Sequence, residues 1–471
     1  MPFGYHGCYL RLDVSTGEVE RVQLADAVLR QYIGGSGLGV RILLDEGAAP
    51  LDPLSPEALL VFAFSPLVGS PLTTSAKFAV VGKSPLTNRI NDSLASSGFA
   101  ISGKGLGCDA LLIVGRAPEL STLVIDAKPS GDHRPPTPDT RGLPIVRLQS
   151  AVDLGGFTCE QTEAALRQDL GLDFRIATIG PAGERLVRYA TISHDGRHAG
   201  RGGSGAVLGS KNVKAIAVRG SRRVEWAHPQ ELAAISKDLS KRSFGPATAK
   251  YRELGTATNL LTFNRFNALP TRNFQAGSFD KAESLSPEQL STTRSKTRAS
   301  CVACTIGCEH IYSLGADRGL PADQPPPRLR RSAEASAKAE ALAEAGVRLE
   351  YENLFALGPL CGVSDPDAVL GASQRCDELG LDTISTGGTI AFAMECVERG
   401  WLDEPWLTFG SGDALLRAIE LIGSREGLGN LLAQGSRQAA EAIGHDSISI
   451  APQVKGLEMP GYEPRALQTM A

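Results

Sequence analysis

The hydrophobic pattern of this 471-residue chain changes character near residue 226, and that change limits the folds open to it. Before this point, short apolar runs are separated by glycine-rich breaks. Residues 10–14 alternate, Ser15-Thr16-Gly17 turns, and residues 19–22 alternate again, which predicts a β-hairpin. Residues 58–64, 77–81, 110–114, 123–126 and 175–179 read as further strands, with glycine-rich breaks at 34–39, 102–107, 180–183 and 200–209. After it, apolar residues recur at helical spacing in 229–241 and 246–263, then in 367–379, 386–399, 413–422 and 429–443. Gly380 and Gly400 stand where a helix C-terminus is often closed by a left-handed residue. The expectation is an α+β chain in three parts. These are a β-rich domain over 1–220, a mainly α-helical domain with clustered cysteines over 221–410, and the start of a second, truncated helical domain over 411–471.

Two stretches fall outside this pattern. Residues 127–145 are rich in proline, glycine and polar side chains and are expected to form a surface loop. Residues 316–348 include a basic, alanine-rich run with almost no large apolar face, expected as a solvated insertion, with a partner-binding helix as the alternative. A net charge of −4 argues against a generic nucleic-acid surface. No apolar run is long enough to span a membrane. The N-terminal residues lack the basic start, apolar run and small-residue cleavage site of a signal peptide, so a cytoplasmic location is expected.

Nine cysteines in a chain of this size do not make a disulfide scaffold. Six are scattered, and three cluster in Cys301-Val-Ala-Cys304-Thr-Ile-Gly-Cys308. Three thiolates so closely spaced can converge on one metal centre if the backbone folds around it, and Gly307 lets it bend. The spacing suits three ligands of a [4Fe–4S] cluster, with a fourth from elsewhere. Structural zinc with His310 as fourth ligand, or a chance grouping, are the alternatives.

A second candidate is Ala199-Gly-Arg201-Gly-Gly-Ser-Gly205, running on to Lys211 and Lys214. Dense glycine allows close approach of backbone to ligand, and Arg201 and Lys211 would suit a phosphate or pyrophosphate. A glycine-rich turn between strands is the plainer reading. A third is Cys376-Asp-Glu-Leu-Gly-Leu-Asp382, whose Asp377 and Asp382 could accept hydrogen bonds from a polar heterocycle or merely cap two helices. A fourth is Glu350-Tyr351-Glu352, where a carboxyl near Leu349, Leu354 and Phe355 could serve as acid or base rather than as a solvated glutamate. The seven histidines form no metal-binding pair, and no nucleophile elbow is present.

Taken in order, these segments resemble the aldehyde:ferredoxin oxidoreductase family. The resemblance runs from Gly34-Gly-Ser-Gly-Leu-Gly39 and Asp52-Pro-Leu-Ser-Pro-Glu57 through Lys83-Ser-Pro-Leu-Thr87 and Ile179-Gly-Pro-Ala-Gly-Glu184. It takes in the 200–214 loop, the cysteines, Glu350-Tyr-Glu352 and residues 376–393, and ends at Lys455-Gly-Leu-Glu-Met-Pro-Gly-Tyr-Glu-Pro-Arg465. It implies a β-rich domain cradling a tungsten or molybdenum bis-pyranopterin, with helical domains beyond. It also implies oxidation of a small aldehyde to a carboxylic acid, with electrons leaving through a [4Fe–4S] cluster to ferredoxin or an electron-transfer subunit. The protein is then expected to be a homo- or hetero-oligomer.

Carried over residue by residue, Cys301, Cys304 and Cys308 would ligate the cluster. Lys77 and Ala199, Gly200, Arg201, Gly202 and Gly203 would meet pterin phosphate. Asp377, Leu381 and Asp382 would hold one pterin, Arg465 would face the cofactor, and Glu352 would be catalytic, activating water or handling a proton.

Departures accompany the likeness. Lys77 stands where relatives often carry arginine, keeping the charge but losing the guanidinium fork. The Gly-Gly-x-Phe-Gly stretch is blurred to Ser96-Ser-Gly-Phe-Ala100. Gly371 replaces a glutamate that in some members helps bind an intersubunit iron, so no such iron is expected. Members continue past the Glu-Pro-Arg motif into a region with more of the cofactor pocket, a fourth cluster cysteine and a metal-proximal histidine. The expectation is that this fourth ligand lies outside the chain, Cys361 and Cys376 being the nearest substitutes in sequence. A truncated gene, an incomplete sequence and a split enzyme completed by a second chain are the three explanations. Two other functions stay open: a benzoyl-CoA-reductase-like subunit of a larger redox complex, and an inactive family member.

Overall fold

The computed structural model describes residues 2–127, 143–315 and 346–466. The loop expected at 127–145 and the insertion expected at 316–348 therefore fall, apart from their edges, outside the described residues. The chain divides into two compact units. One comprises Met1–Ser240 with two short segments from far along the sequence, Val302–Cys304 and Asp377–Asp382. The other comprises Lys241–Cys301, Thr305–Cys376 and Thr383–Ala471.

The first unit is built on two six-stranded sheets. One contains β1 (Cys8–Asp13), β2 (Val19–Gln23), β3 (Leu60–Phe64), β4 (Lys77–Lys83), β5 (Ile90–Ser96) and β6 (Ala110–Val114), in the order β2-β1-β6-β3-β4-β5. The other contains β7 (Ser121–Asp126), β8 (Ile145–Ser150), β9 (Arg175–Thr178), β10 (Ile192–His194), β11 (Arg197–Ala199) and β12 (Val213–Arg219), in the order β11-β10-β9-β12-β7-β8. In each sheet one pair is parallel, β1 with β6 and β12 with β7, and the other pairs are antiparallel.

Strand alternation assigns the two faces of each sheet to different cores. Leu10, Phe62, Phe78, Leu111 and Ile113 of the first sheet meet Leu123, Ile125, Ala177, Ile216 and Val218 of the second in one apolar layer. The intervening residues Val61, Ala63, Val81 and Leu112 face a helical layer that supplies Leu29, Leu38, Ile42 and Leu43. That layer is α1 (Asp26–Gln31) and α2 (Gly35–Asp45). Val124, Ile176, Ala215 and Ala217 pack with Leu166 and Phe174 on the outer side of the second sheet. Burial on both faces explains why β3 reads as an unbroken apolar run rather than an alternating one.

The glycine-rich breaks are the main correction to the sequence reading. Gly35–Asp45 is a helix, as are α3 (Gly98–Lys104), α5 (Pro181–Glu184) and α6 (Ser204–Ser210). Between α3 and α5 lies α4 (Cys159–Leu170), opened by a Thr158/Gln161 capping box. Several of these glycines mark close packing rather than turns. A Cβ on Gly205 would sit 2.2 Å from the Thr191 carbonyl oxygen, and one on Gly209 would sit 2.0 Å from that of Gly183. The first unit continues into α7 (Pro229–Ser243).

The second unit is mainly helical, as expected. Its longest helix among the described residues, Thr383–Glu398, is buried from Ile384 through Cys396. Gly387 lets it cross the helix Tyr351–Leu357 closely, since a Cβ there would lie 2.2 Å from the Ala356 carbonyl oxygen. The helix expected over 246–263 is broken at Gly255, which has φ +72°. That expected over 429–443 is broken at Gly435, with φ +89°. Gly380 and Gly400 are left-handed just past their helices, as expected. A three-stranded antiparallel sheet, β13 (Lys296–Ala299), β14 (Glu309–Tyr312) and β15 (Val347–Leu349), was not anticipated.

Candidate functional site

The segment Asp377–Asp382 is held on the first unit by main-chain pairing. Ala190 and Leu381 form an antiparallel bridge. Thr191 N–H donates to the Gly380 carbonyl at 2.8 Å, and Asp382 N–H donates to that of Tyr189 at 3.1 Å. Glycine is required at the crossing, because a Cβ on Gly180 would lie 2.3 Å from the Leu379 carbonyl oxygen. These contacts deliver both aspartates to the loop that follows β11. Arg201 Nε lies 3.3 Å from Oδ2 of buried Asp382. His198 Nε2 lies 3.3 Å from Asp377 Oδ1, and its Nδ1 lies 2.7 Å from Thr191 Oγ1. Both roles foreseen for the segment are compatible. Gly380 closes one helix with φ +74°, Asp382 immediately precedes the next, and the aspartates still face cationic or donor side chains. Sequence reasoning missed His198. A lone histidine carries no motif, and the available signal was its place two residues before Gly200.

The loop itself has the conformation that its glycines permit. Gly202 and Gly203 are both left-handed, and Gly203 leads directly into α6. A side chain at Gly203 would collide with the Arg188 carbonyl oxygen at 2.1 Å and with Pro85 at 2.9 Å. Gly200 differs, since a Cβ there would meet nothing within 4 Å. The Arg201 carbonyl is anchored by Asn91 Nδ2 at 3.0 Å and Ser93 Oγ at 2.6 Å. Lys77 is exposed at the start of β4. An open glycine face with two left-handed residues, an arginine and a lysine fits an anionic phosphate group in its donor chemistry.

Lys211 does not belong to this set, which corrects its reading as a phosphate ligand. Its buried ammonium donates to the carbonyls of Pro56, Ala58 and Gly115 at 3.2, 2.5 and 3.1 Å. Burial pulls its pKa down to about 8. Lys214 is likewise committed, to the Phe157 carbonyl and Glu184.

None of the cysteines is in a disulfide, and they fall into two environments. Cys301, Cys304 and Cys308 are half-buried, whereas Cys8, Cys108, Cys159, Cys361, Cys376 and Cys396 are buried. Burial raises the thiol pKa of Cys361, and pushes those of Cys159 and Cys396 up to about 12. Those thiols are ill-suited to act as thiolates. The backbone through the triad turns twice through left-handed residues, Ala303 at φ +57° and Gly307 at φ +63°. Ala303 accepts a hydrogen bond from Thr74 N–H at 2.5 Å. Three thiols are the donor type that an iron–sulfur cluster takes. Among the described residues, no group of three or more cysteine, histidine or acidic side chains is gathered as a metal site. His310, the alternative zinc ligand, is buried in β14 with Nε2 3.1 Å from the Arg252 carbonyl oxygen. Burial lowers its pKa to about 4.

In the second unit, Glu352 lies in the first turn of the helix Tyr351–Leu357 and accepts a hydrogen bond from Gly461 N–H at 3.0 Å. Tyr351 OH donates to the Gly461 carbonyl. Tyr351, Phe263 and Tyr462 form an aromatic group with ring centroids 5.2–5.8 Å apart. Burial and then the nearby Glu352 charge raise the pKa of both tyrosines. The Lys455–Arg465 motif thus supplies Glu352 with a backbone donor. Arg465 is largely exposed; it is paired with Glu463 at 2.7 Å and donates to the Phe274 carbonyl at 2.5 Å.

The chain is similar to known proteins along almost its whole length. The profile of the aldehyde ferredoxin oxidoreductase N-terminal domain matches residues 9–220, and that of domains 2 and 3 of the same family matches 234–471. The tungsten-containing aldehyde ferredoxin oxidoreductase of Pyrococcus furiosus is 35% identical over 99% of this chain and 71% of its own length. Its namesake from Thermococcus kodakarensis is 36% identical over the same shares. Among solved structures, the active-site complex BamBC of benzoyl coenzyme A reductase, bound to 1,5-dienoyl-CoA, matches with a TM-score of 0.78 and 26% identity. That match covers 98% of this chain and 67% of the other. No helix among the described residues is long and apolar enough to cross a membrane. With both of its domain profiles and more than two thirds of its curated members' length matched, this chain is an oxidoreductase of the aldehyde ferredoxin oxidoreductase family.

Proposed function

We propose that the protein oxidises small aldehydes to carboxylic acids at a tungsten, or molybdenum, bis-pyranopterin, and that electrons leave through a [4Fe–4S] cluster to ferredoxin or an electron-transfer subunit. The observation that carries this reading is the docking of Asp377–Asp382 beside the Arg201 loop, across 181 residues of sequence. When bound, the metallopterin supplies two-electron redox chemistry and the cluster one-electron transfer; the chain supplies the rest.

Arg201 and Lys77, with the backbone of Ala199–Gly203, would bind phosphate. Asp377, Leu381 and Asp382 would accept from and donate to the pterin heterocycle, and Arg465 would contribute a further cation. Cys301, Cys304 and Cys308 would hold the cluster. Oxidation of an aldehyde by water releases two protons with two electrons, and Glu352 would take up one of those protons. Its carboxylate is oriented by Gly461 N–H.

A second reading has one observation in its favour, the extent of the match to a benzoyl coenzyme A reductase complex. The chain would then be a subunit of a larger assembly acting on a cyclic CoA thioester. Anaerobic assay of the purified protein with a viologen dye separates the two. Aldehyde-dependent dye reduction is expected. Dye reduction with a dienoyl-CoA and none with aldehydes would replace the first reading with the second.

A further inference from the structure

We infer that His198 is a positioning residue that aligns Asp377 for the pterin. The inference rests on the cofactor reading of the Asp377–Asp382 segment and extends it to a residue outside every motif considered above. His198 is in β11, one residue before the loop that carries Arg201. Its ring is held at both nitrogens, by Thr191 Oγ1 at 2.7 Å and Asp377 Oδ1 at 3.3 Å. Thr191 is fully buried, and its own N–H is bonded to the Gly380 carbonyl at 2.8 Å. The hydroxyl, the ring and the carboxylate are therefore referenced to one pair of backbone segments. With Thr191 donating to Nδ1, Nε2 carries the proton and donates to Asp377.

A carboxylate has about four acceptor sites, so the contact with His198 can orient it without taking up the whole group. Arg201 does the same for Asp382 from the other side of Gly200. The end of β11 and its loop thus orient both aspartates through two different side chains. A shell of this kind, in which one residue orients the group that meets the ligand, typically changes affinity 10- to 100-fold when removed.

The test uses holoprotein and reads tungsten or molybdenum, and pterin, retained per chain after prolonged gel filtration, without reference to turnover. His198→Ala is expected to release cofactor at least about tenfold faster than the parent. His198→Gln, which can still present an N–H to Asp377, should recover most of the retention. If His198 acts through Asp377, the double variant His198→Ala/Asp377→Asn should lose no more than Asp377→Asn alone. Should His198→Ala fail to fold, His198→Gln and Thr191→Val carry the same comparison. Rapid loss in Asp377→Asn but parental retention in His198→Ala would overturn this inference and leave the site reading standing. So would additive losses in the double variant, or a glutamine variant as leaky as the alanine one. Parental retention in Asp377→Asn would overturn the site reading, and this inference with it.

Discussion

Glu352 is the residue on which turnover is expected to depend. The Gly461 N–H fixes its orientation, and its charge acts on Tyr351 and Tyr462. Glu352→Gln keeps the shape and one acceptor but cannot take up a proton. It should lower kcat by about 100-fold or more while leaving tungsten and iron content unchanged, read by steady-state kinetics beside metal analysis. Unchanged turnover would remove Glu352 from the mechanism. Glu458, in the Lys455–Arg465 motif that also supplies Gly461, has a different role. It is buried, and Ser436 donates to it from N–H at 2.8 Å and from Oγ at 2.9 Å. Burial raises its pKa despite those bonds. Between the ordinary carboxylate range and the raised value, the folded state holds more protons than the unfolded one, so stability falls as pH rises through that window. Glu458→Gln should therefore gain on the parent in urea midpoint between pH 5 and pH 8; a constant difference would contradict the burial argument. At this scale the sequence was readable where a motif fixed the residue, as with Arg201 and Asp382. It was not readable for His198, which has no motif, or for Lys211, whose carbonyl partners come from distant strands.

Among elements, glycine was the hardest signal to interpret. Strands β1–β4, β6, β7 and β9 were legible because apolar residues without helical spacing have few alternatives. Glycine clusters read as turns turned out to open α2, α5 and α6. The reason is tertiary: glycine costs a helix roughly 1 kcal/mol against alanine, and here close packing of backbone on backbone outweighs that cost. Gly205→Ala tests the point. An isolated helix would gain from the change, but here the new methyl would lie 2.2 Å from the Thr191 carbonyl oxygen. The variant should lose about 1–3 kcal/mol in chemical denaturation. A neutral or stabilised variant would show that α6 does not need this approach. The β13–β15 sheet escaped notice because its strands are only three or four residues long and lie within an otherwise helical half.

At the scale of the molecule, the first unit has two sheets with helices on their outer faces, and a six-residue segment from far downstream completes its candidate site. The order of motifs made the family legible, because each weak signal was constrained by its neighbours. The chain spans 71% of the length of the Pyrococcus furiosus and Thermococcus kodakarensis relatives, so the substrate and electron acceptor are proposals tested on the protein itself. We propose that this fold holds a metallopterin together with a cluster. Elemental analysis of anaerobically purified protein for tungsten, molybdenum, iron and zinc tests it most directly. One tungsten or molybdenum and about four iron atoms per chain are expected; zinc alone, or no metal, would contradict a metallopterin and cluster in this fold.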